Sequence, residues 1–350
     1  MLRSLPLATL LAGMMLVLAS GFVPSGAMAQ EACVPPPMRT DIRPPGDGPT
    51  VVEVTYYVVD FMGVDDANQQ IELDIQAMAQ WTDTRLAGLV GCRLPLTSVW
   101  YPRMYLLNSS NLRRGNTQAR DQVLIGEEGR VFYLQRLTGT ISSYHSLRRF
   151  PFDSHDFRID MALVEHSVDE LVLRPGPRGA GISDRLNVEG WSIRGVQLTT
   201  AEEAVGDSEV LVPTATLTIS ADRQATYYIY RVLGLLMLVV AMSWVVFFVP
   251  PERVEFQIGL GATAMLTAIA FSLSLASSLP TLGYLTVLDS MLVWAIFLVF
   301  LSIVESLVTG NLASRGRQET AVRMDWISRF AFPAMLFAGW GAMLAGVELP

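Results

Sequence analysis

Over the first half of the chain, apolar residues recur at every second position in short runs. Ile71, Leu73, Ile75, Ala77 and Ala79 alternate with mostly polar neighbours up to Trp81, which is the period of a strand with one buried face. Runs at 51–61, 122–125, 131–143, 157–164, 170–173, 188–198 and 210–220 have the same β-rich character, separated by turn residues. No strong amphipathic helix lies between them. The pattern predicts an antiparallel β-sandwich of immunoglobulin-like type over residues 51–225. Near residue 226 the pattern changes to long apolar segments at 227–249, 256–279, 285–308 and 326–347. Each reaches the length of about 20 residues that a spanning helix needs, so residues 226–350 are expected to form a four-helix transmembrane bundle.

The second of these segments does not read like a lipid-facing helix. Glu255, Gly259, Thr263, Ala270, Ser274 and Ser277 recur at steps of three and four, with Leu266 on the same stripe. Phe256, Leu260, Met265, Ile269 and Phe271 cover much of the remaining surface. Lipid does not tolerate a small, partly polar face with a carboxylate at its foot, so that face should meet other helices or water. Two readings stay open at this point: a helix buried in a bundle, its hydroxyls bonded to its own backbone, or the lining of a pore.

Composition agrees with a membrane protein. The 350 residues are 51% hydrophobic and 17% charged, with a mean hydropathy of +0.37. A net charge of -8 and the lack of any Lys argue against a nucleic-acid partner. Residues 1–29 combine Arg3, an apolar run from Leu5 to Leu18 and the ending Ala27-Met28-Ala29, the form of a secretory signal. A Pro-rich arm follows at 30–50, ahead of the sandwich. An exported segment permits disulfides, and Cys33 and Cys92 both fall within it; spacing alone leaves their pairing open. Arg253 lies between spans one and two, and Arg315, Arg317 and Arg323 between three and four, whereas 278–284 has no Arg. That asymmetry puts the sandwich outside and the arginine loops inside. Glu305, near the inner end of span three, is expected at the membrane interface or paired with a neighbouring Arg.

Catalytic chemistry is not supported. Ser154, His155 and Asp156 are adjacent, and neighbours on a strand point to opposite faces, so they form no triad. The three histidines show no metal spacing, and no Gly-rich phosphate loop is present.

Several short motifs are more specific than the periodicity. Trp81, Asp83, Arg85 and Leu86 form W-x-D-x-R-L; Trp100 and Pro102 form W-x-P, followed by Asn108; Phe150, Pro151, Phe152 and Asp153 form F-P-F-D. Trp191 and Arg223 come later, and four spans follow. In this order the motifs resemble those of the pentameric ligand-gated ion channels, the Cys-loop receptor superfamily, from about Val51 to the C-terminus. Ser143 and Phe157 stand where animal members have the two loop cysteines, so the resemblance is to the bacterial type without that disulfide. The short inner loop 309–325 points the same way. Arg103 departs from the Asp usual in the family, and Gly234 from a usual proline, while Trp244 matches.

The resemblance implies a homopentamer whose second span lines the pore, with Glu255, Gly259, Thr263, Leu266, Ala270, Leu273, Ser274 and Ser277 facing it. A ring of Glu255 carboxylates at the inner mouth would favour monovalent cations, and Leu266 would be the hydrophobic gate. It also implies a gating interface between sandwich and spans, built from Asp65, Asp66, Phe150, Pro151, Phe152, Asp153, Arg223 and Pro280. Asp66, Asp153 and Arg223 would form its electrostatic cluster. The candidate ligand site combines Leu107, Val164, Glu165 and His166 with a capping loop at about 199–209 carrying Glu202, Glu203, Asp207 and Glu209. This loop has no aromatic residue to cage an amine. Its carboxylates could titrate or bind a divalent cation, or simply be solvated. The expected partners are membrane lipids, permeant cations and either a small agonist or protons. No cofactor is expected beyond modulation by protons or Ca2+, and the expected location is a bacterial inner membrane. The alternative function is a membrane-anchored binding protein or sensor that conducts nothing.

Overall fold

The computed structural model describes residues 33–114, 121–186, 188–207, 209–276 and 282–346. Segment 1–29, Ser277 and Pro280 lie outside the described residues. Eleven strands occur among those described: β1 (Thr50–Asp65), β2 (Gln70–Thr82), β3 (Arg93–Pro95), β4 (Tyr105–Leu106), β5 (Ser109–Arg114), β6 (Gln122–Ile125), β7 (Arg130–Ser142), β8 (Ser154–Ala162), β9 (Leu171–Ile182), β10 (Trp191–Ala204) and β11 (Leu211–Arg223). They make two sheets. One runs β3-β6-β7-β2-β1-β9 with β5 also on β7, and the other runs β10-β11-β8-β4.

The sandwich is antiparallel apart from β1 and β9, which pair in parallel. Strand β9 continues past the expected end at residue 173, through Pro175 and Pro177. Its place at the sheet edge explains this, since a proline there removes no hydrogen bond from an inner ladder. The expected capping loop at 199–209 is also corrected. Backbone pairing continues along β10 and sets Glu202 opposite Pro213 and Glu203 opposite Val212, so both are strand residues. The short β3, β4 and β5 have no alternating run that would have announced them.

Alternation places the core. Ile71, Leu73, Ile75, Ala77, Ala79 and Trp81 of β2 are all buried. On β1, Val52, Val54, Tyr56 and Val58 point inward, and a bulge between Val58 and Asp60 then changes parity so that Phe61 does too. Phe157, Ile159 and Met161 of β8 and Leu217, Ile219 and Ala221 of β11 close the core from the other sheet.

The motifs have structural duties. Asp83 is fully buried; its carboxylate accepts from Arg85 Nε at 2.8 Å and Nη2 at 2.7 Å, while the Arg85 guanidinium also donates to the carbonyls of Arg39 and Ile42. Gly129 (φ +76°) closes over this turn, and a Cβ there would lie 2.1 Å from the Asp83 carbonyl oxygen. Asn108 donates to the Arg158 carbonyl at 2.8 Å and accepts from Asp160 N–H at 3.1 Å, tying its turn to β8. Cys33 and Cys92 are disulfide-bonded, with Cα atoms 5.5 Å apart, and fasten the N-terminal arm to the sandwich.

Among the described residues, four helices are long and apolar enough to cross a membrane. The first span covers Tyr228–Phe248, with α1 (Gly234–Trp244) at its centre; α2 (Val254–Ala276), α3 (Val287–Ser314) and α4 (Gln318–Ala345) follow. Helix α3 begins at a capping box: Thr286 Oγ1 accepts from Asp289 N–H at 3.1 Å and Asp289 Oδ2 accepts from Thr286 N–H at 2.9 Å. Leu236, Val240, Leu288, Met291, Ala295, Leu298 and Leu336 form the bundle core. Reducing the disulfide, or Cys92→Ser, should destabilise the sandwich by about 4 kcal/mol, the chain-entropy value for a loop of this size. Thermal melting followed by tryptophan fluorescence, with and without reductant, checks this; an unchanged melting temperature would contradict it.

Candidate functional site

Where the sandwich meets the helices, Arg223 ends β11 just before the first span and is gripped by two carboxylates. Nη1 and Nη2 donate to Asp66 at 2.8 and 2.9 Å, and Nε and Nη2 donate to Asp153 at 2.8 and 3.1 Å. Its cationic carbon lies 4.2 Å from the Trp191 ring centre and 4.8 Å from that of Phe150. His145 Nε2 is 3.1 Å from Asp66, His155 Nε2 is 2.6 Å from Asp153, and the two rings are 4.4 Å apart. All five side chains are largely buried. Burial alone would push the Asp66 and Asp153 carboxyls up. Hydrogen bonds from the adjacent histidine and Arg223 outweigh it in each case and hold both below the usual carboxylate range.

The predicted gating residues do not all join this cluster. Asp65 turns away to bond Asn68 N–H at 3.0 Å and Nδ2 at 2.7 Å, capping its turn. Phe150, rather than Phe152, enters the helix bundle: it is buried, packs against Tyr228 at 4.7 Å and belongs to the apolar core of the spans. Pro151 is buried and Phe152 only half-buried. The adjacent segment docks on the outer end of α3. Leu147 N–H donates to the Tyr284 hydroxyl at 2.9 Å, the Arg148 guanidinium covers the Tyr284 ring, and Val287 and Leu288 N–H donate to the carbonyls of Arg148 and Phe150.

Helix α2 turns Gln257, Gly261, Ala264 and Ala268 into the bundle. A Cβ on Gly261 would lie 2.7 Å from Ile303 Cγ1, so α2 and α3 touch there. The opposite side exposes Glu255, Gly259, Thr263, Leu266, Ala270, Leu273 and Ser274, and also Ala262 and Thr267. Thr263 and Thr267 hydroxyls donate back to the carbonyls of Gly259 and Thr263 at 2.8 Å. Over its most apolar stretch only 17% of α2 is buried within the chain, against 39% and 44% for the first and third spans and 22% for the fourth. Its exposed face is therefore left for contacts outside this chain.

Sequence reasoning missed what holds the inner ends. Gln257, almost fully buried, donates through Nε2 to the carbonyls of Val246 at 3.1 Å and Val249 at 2.9 Å, satisfying the end of the first span. Arg329 donates to the Phe247 carbonyl at 3.0 Å. Glu305 is buried and accepts from Ser328 Oγ at 2.9 Å rather than from an Arg. The close α3–α4 contact covers it, because Glu305 and Ser328 face one another across those helices.

On the outer half of the sandwich, a cavity of about 430 Å³ is lined by Val164, Glu165, His166, Ser167, Val205, Val210 and Val212. Glu165 accepts from the Tyr105 hydroxyl at 2.6 Å and Arg103 Nη1 at 3.3 Å. The Tyr105 hydrogen bond, with the Arg103 charge, holds its carboxyl below the usual range. Leu107, Glu202, Glu203, Asp207 and Glu209 are exposed and do not line this cavity. Among the described residues no group of three His, Cys, Asp or Glu is placed to hold a metal ion.

A sandwich fastened through a buried arginine to four spans, one presenting a small-residue face outward, is the architecture of a ligand-gated channel subunit. Residues 38–225 match the neurotransmitter-gated ion-channel ligand binding domain, and residues 237–338 match the neurotransmitter-gated ion-channel transmembrane region. The chain belongs to this family of pentameric ligand-gated ion channels, and it is a multi-pass membrane protein rather than an enzyme. It is 23% identical over 314 residues to a proton-gated ion channel of Gloeobacter violaceus, covering 87% of this chain and 84% of that one. It is 26% identical over 293 residues to the human gamma-aminobutyric acid receptor subunit gamma-3, covering 82% of this chain and 62% of that one. A Caenorhabditis elegans gamma-aminobutyric acid receptor subunit beta is 25% identical over 280 residues, covering 76% of this chain and 50% of that one. The chain thus spans only about half to three-fifths of these receptor subunits.

Removing Arg223 leaves two buried carboxylates without their cation, so Arg223→Gln should cost about 3–5 kcal/mol. Arg223→Lys should recover little, since an ammonium cannot reproduce the two-sided fork. Because both native carboxyls titrate below their unfolded values, the stability they give is present above about pH 4 and lost as pH falls further. Acid denaturation of wild type and variants checks both statements; a variant as stable as wild type would contradict them.

Proposed function

We propose that five copies of this chain form a cation-selective channel in a bacterial inner membrane. The exported sandwich would receive the stimulus and the α2 helices would line the pore. The observation that carries this reading is the exposed face of α2. It starts at Glu255, passes the small residues Gly259 and Thr263, and reaches Leu266 and Leu273, which are 70% and 69% exposed. Five Glu255 carboxylates at the inner mouth would attract cations and repel anions. Leu266 and Leu273, with Ala270 between them, would make an apolar constriction that closes by dewetting. Residues 1–29 would be the signal that exports the sandwich, 30–50 the arm, 51–225 the receptor domain and 226–350 the membrane domain.

Support for the bacterial type comes from Ser143 and Phe157 at the loop-cysteine positions, and from the direct passage of α3 into α4, Ser314 to Gln318. The likeness to the Gloeobacter violaceus channel over most of both chains adds to it. The stimulus on this reading is a small agonist at the Glu165–His166 cavity or protons, with Ca2+ as a further candidate modulator. Monovalent cations are the permeant ions, and membrane lipids surround the outer helices.

Reversal potentials of the protein in liposomes under a NaCl gradient test the selectivity. Wild type should follow the cation gradient, and Glu255→Ala should lose most of that preference. If wild type follows the chloride gradient, or Glu255→Ala keeps full cation preference, the Glu255 assignment fails. Leu266→Ser should raise the open fraction without stimulus at least several-fold; unchanged gating would remove Leu266 as the gate.

A further inference from the structure

Two of the chain's three histidines lie in the arginine clamp, and the motifs account for neither. His145 is buried in the segment between β7 and Phe150. Its Nδ1 is 2.9 Å from the Ser143 carbonyl oxygen, and its Nε2 is 3.1 Å from Asp66 Oδ1. Both neighbours only accept hydrogen bonds. The carbonyl has no hydrogen, and both Asp66 oxygens already receive N–H groups from Arg223, which favours the ionised carboxylate. A neutral imidazole carries one N–H and one lone pair. In that form one nitrogen of His145 would face an oxygen with no hydrogen between them, whereas an imidazolium donates to both.

Charge balance points the same way. The charged groups facing His145 are Asp66 from the β1–β2 turn, with Arg223 from β11 and Asp153 behind it, and His155 from β8 beside it. Asp65 of the same turn is bonded to Asn68 instead. Asp66 and Asp153 against Arg223 alone leave one uncompensated negative charge in a buried site, which is costly. One imidazolium brings the sum to zero. His155 needs only a single N–H, toward Asp153, and a second cation 4.4 Å from the first would be repelled. The pair therefore takes up one extra proton.

We propose that His145 is a proton-binding site that holds the sandwich against the outer end of α3. Protonated, it ties Asp66 to the segment whose next residues, Leu147 and Arg148, bond Tyr284 and Val287. Loss of the proton sets a lone pair against an acceptor and leaves the clamp one charge short, which frees this segment. The contact therefore tightens when the proton is bound and loosens when it is lost. Its effect on current rests on the channel reading above, but the proton site itself does not.

The test is nitrogen-15 NMR of histidine-labelled full-length protein in nanodiscs from about pH 5 to 8, with currents recorded in parallel. Only three histidines are present, and the signal lost in His145→Gln, His155→Gln or His166→Gln assigns each of them. The His145 ring should show two N–H groups at the acid end and one at the alkaline end. Asp66→Asn should abolish the doubly protonated form at pH values where wild type shows it. Hydrogen exchange of residues 143–150, corrected for its intrinsic pH dependence, should be slower at the acid end in wild type, with the difference lost in His145→Gln. A His145 ring with one N–H throughout overturns the proposal, as does an exchange difference that survives in His145→Gln. The predicted ring titration in a protein that passes no current upholds the proton site and refutes the channel. Gated current from a protein whose His145 never takes the second proton does the reverse.

Discussion

Three buried charges at the base of the sandwich set the geometry on which the rest depends. Arg223 is the last residue of the sandwich before the chain enters the membrane, and Asp66 and Asp153 come from separate segments. The 157-residue and 70-residue separations of these bonds show how distant parts of the chain are drawn to one point. A carboxylate or guanidinium buried without a partner is strongly unfavourable, so none of the three can leave without exposing the others. Arginine suits the place because its planar fork offers donors to two carboxylates at once while its face rests on Trp191 and Phe150. Any tilt of the sandwich over the spans must therefore carry the β1–β2 turn, the F-P-F-D loop and the start of the first span together.

From that point the mechanical path is short. Phe150 enters the bundle core beside Tyr228, and the residues before it contact Tyr284 and the first turn of α3. Helix α3 is the most buried of the four spans and touches α2 closely at Gly261 and Gly310, where added Cβ atoms would collide with Ile303 and Val254. The sandwich base therefore touches α3, and α3 in turn touches α2 at those two glycines. The exposed face of α2 lies opposite those contacts.

Much of this was legible in the sequence because alternation and long apolar runs are local signals. The β2 core residues, the four spans and the α2 stripe were all readable that way. The F-P-F-D and W-x-D-x-R-L motifs marked the family, and the resemblance named Asp66, Asp153 and Arg223 as one cluster; the histidines beside that cluster and the bonds from Arg85 to the Arg39 and Ile42 carbonyls were not readable, because they join segments far apart in the chain. Phe61 was hidden because a bulge reverses the alternation, and β9 because its prolines suggest a break where an edge strand permits them. Glu202 and Glu203 resemble loop residues by composition, and only pairing with β11 shows them to be strand. Gln257 and Glu305 look like boundary residues of their helices. Both are buried, and only the packing of neighbouring helices makes them so.

The pore assignment of α2 is tested most directly by thiol accessibility. The two native cysteines form a disulfide, so single cysteines introduced along α2 report without interference. Cysteines at Gly259, Thr263, Leu266, Ala270 and Leu273 should react with a water-soluble, charged thiol reagent and alter the current. Those at Ala264 and Ala268, which face the bundle, should not. Modification confined to Ala264 and Ala268, or current unaffected at every exposed position, would contradict the assignment of α2 to the pore.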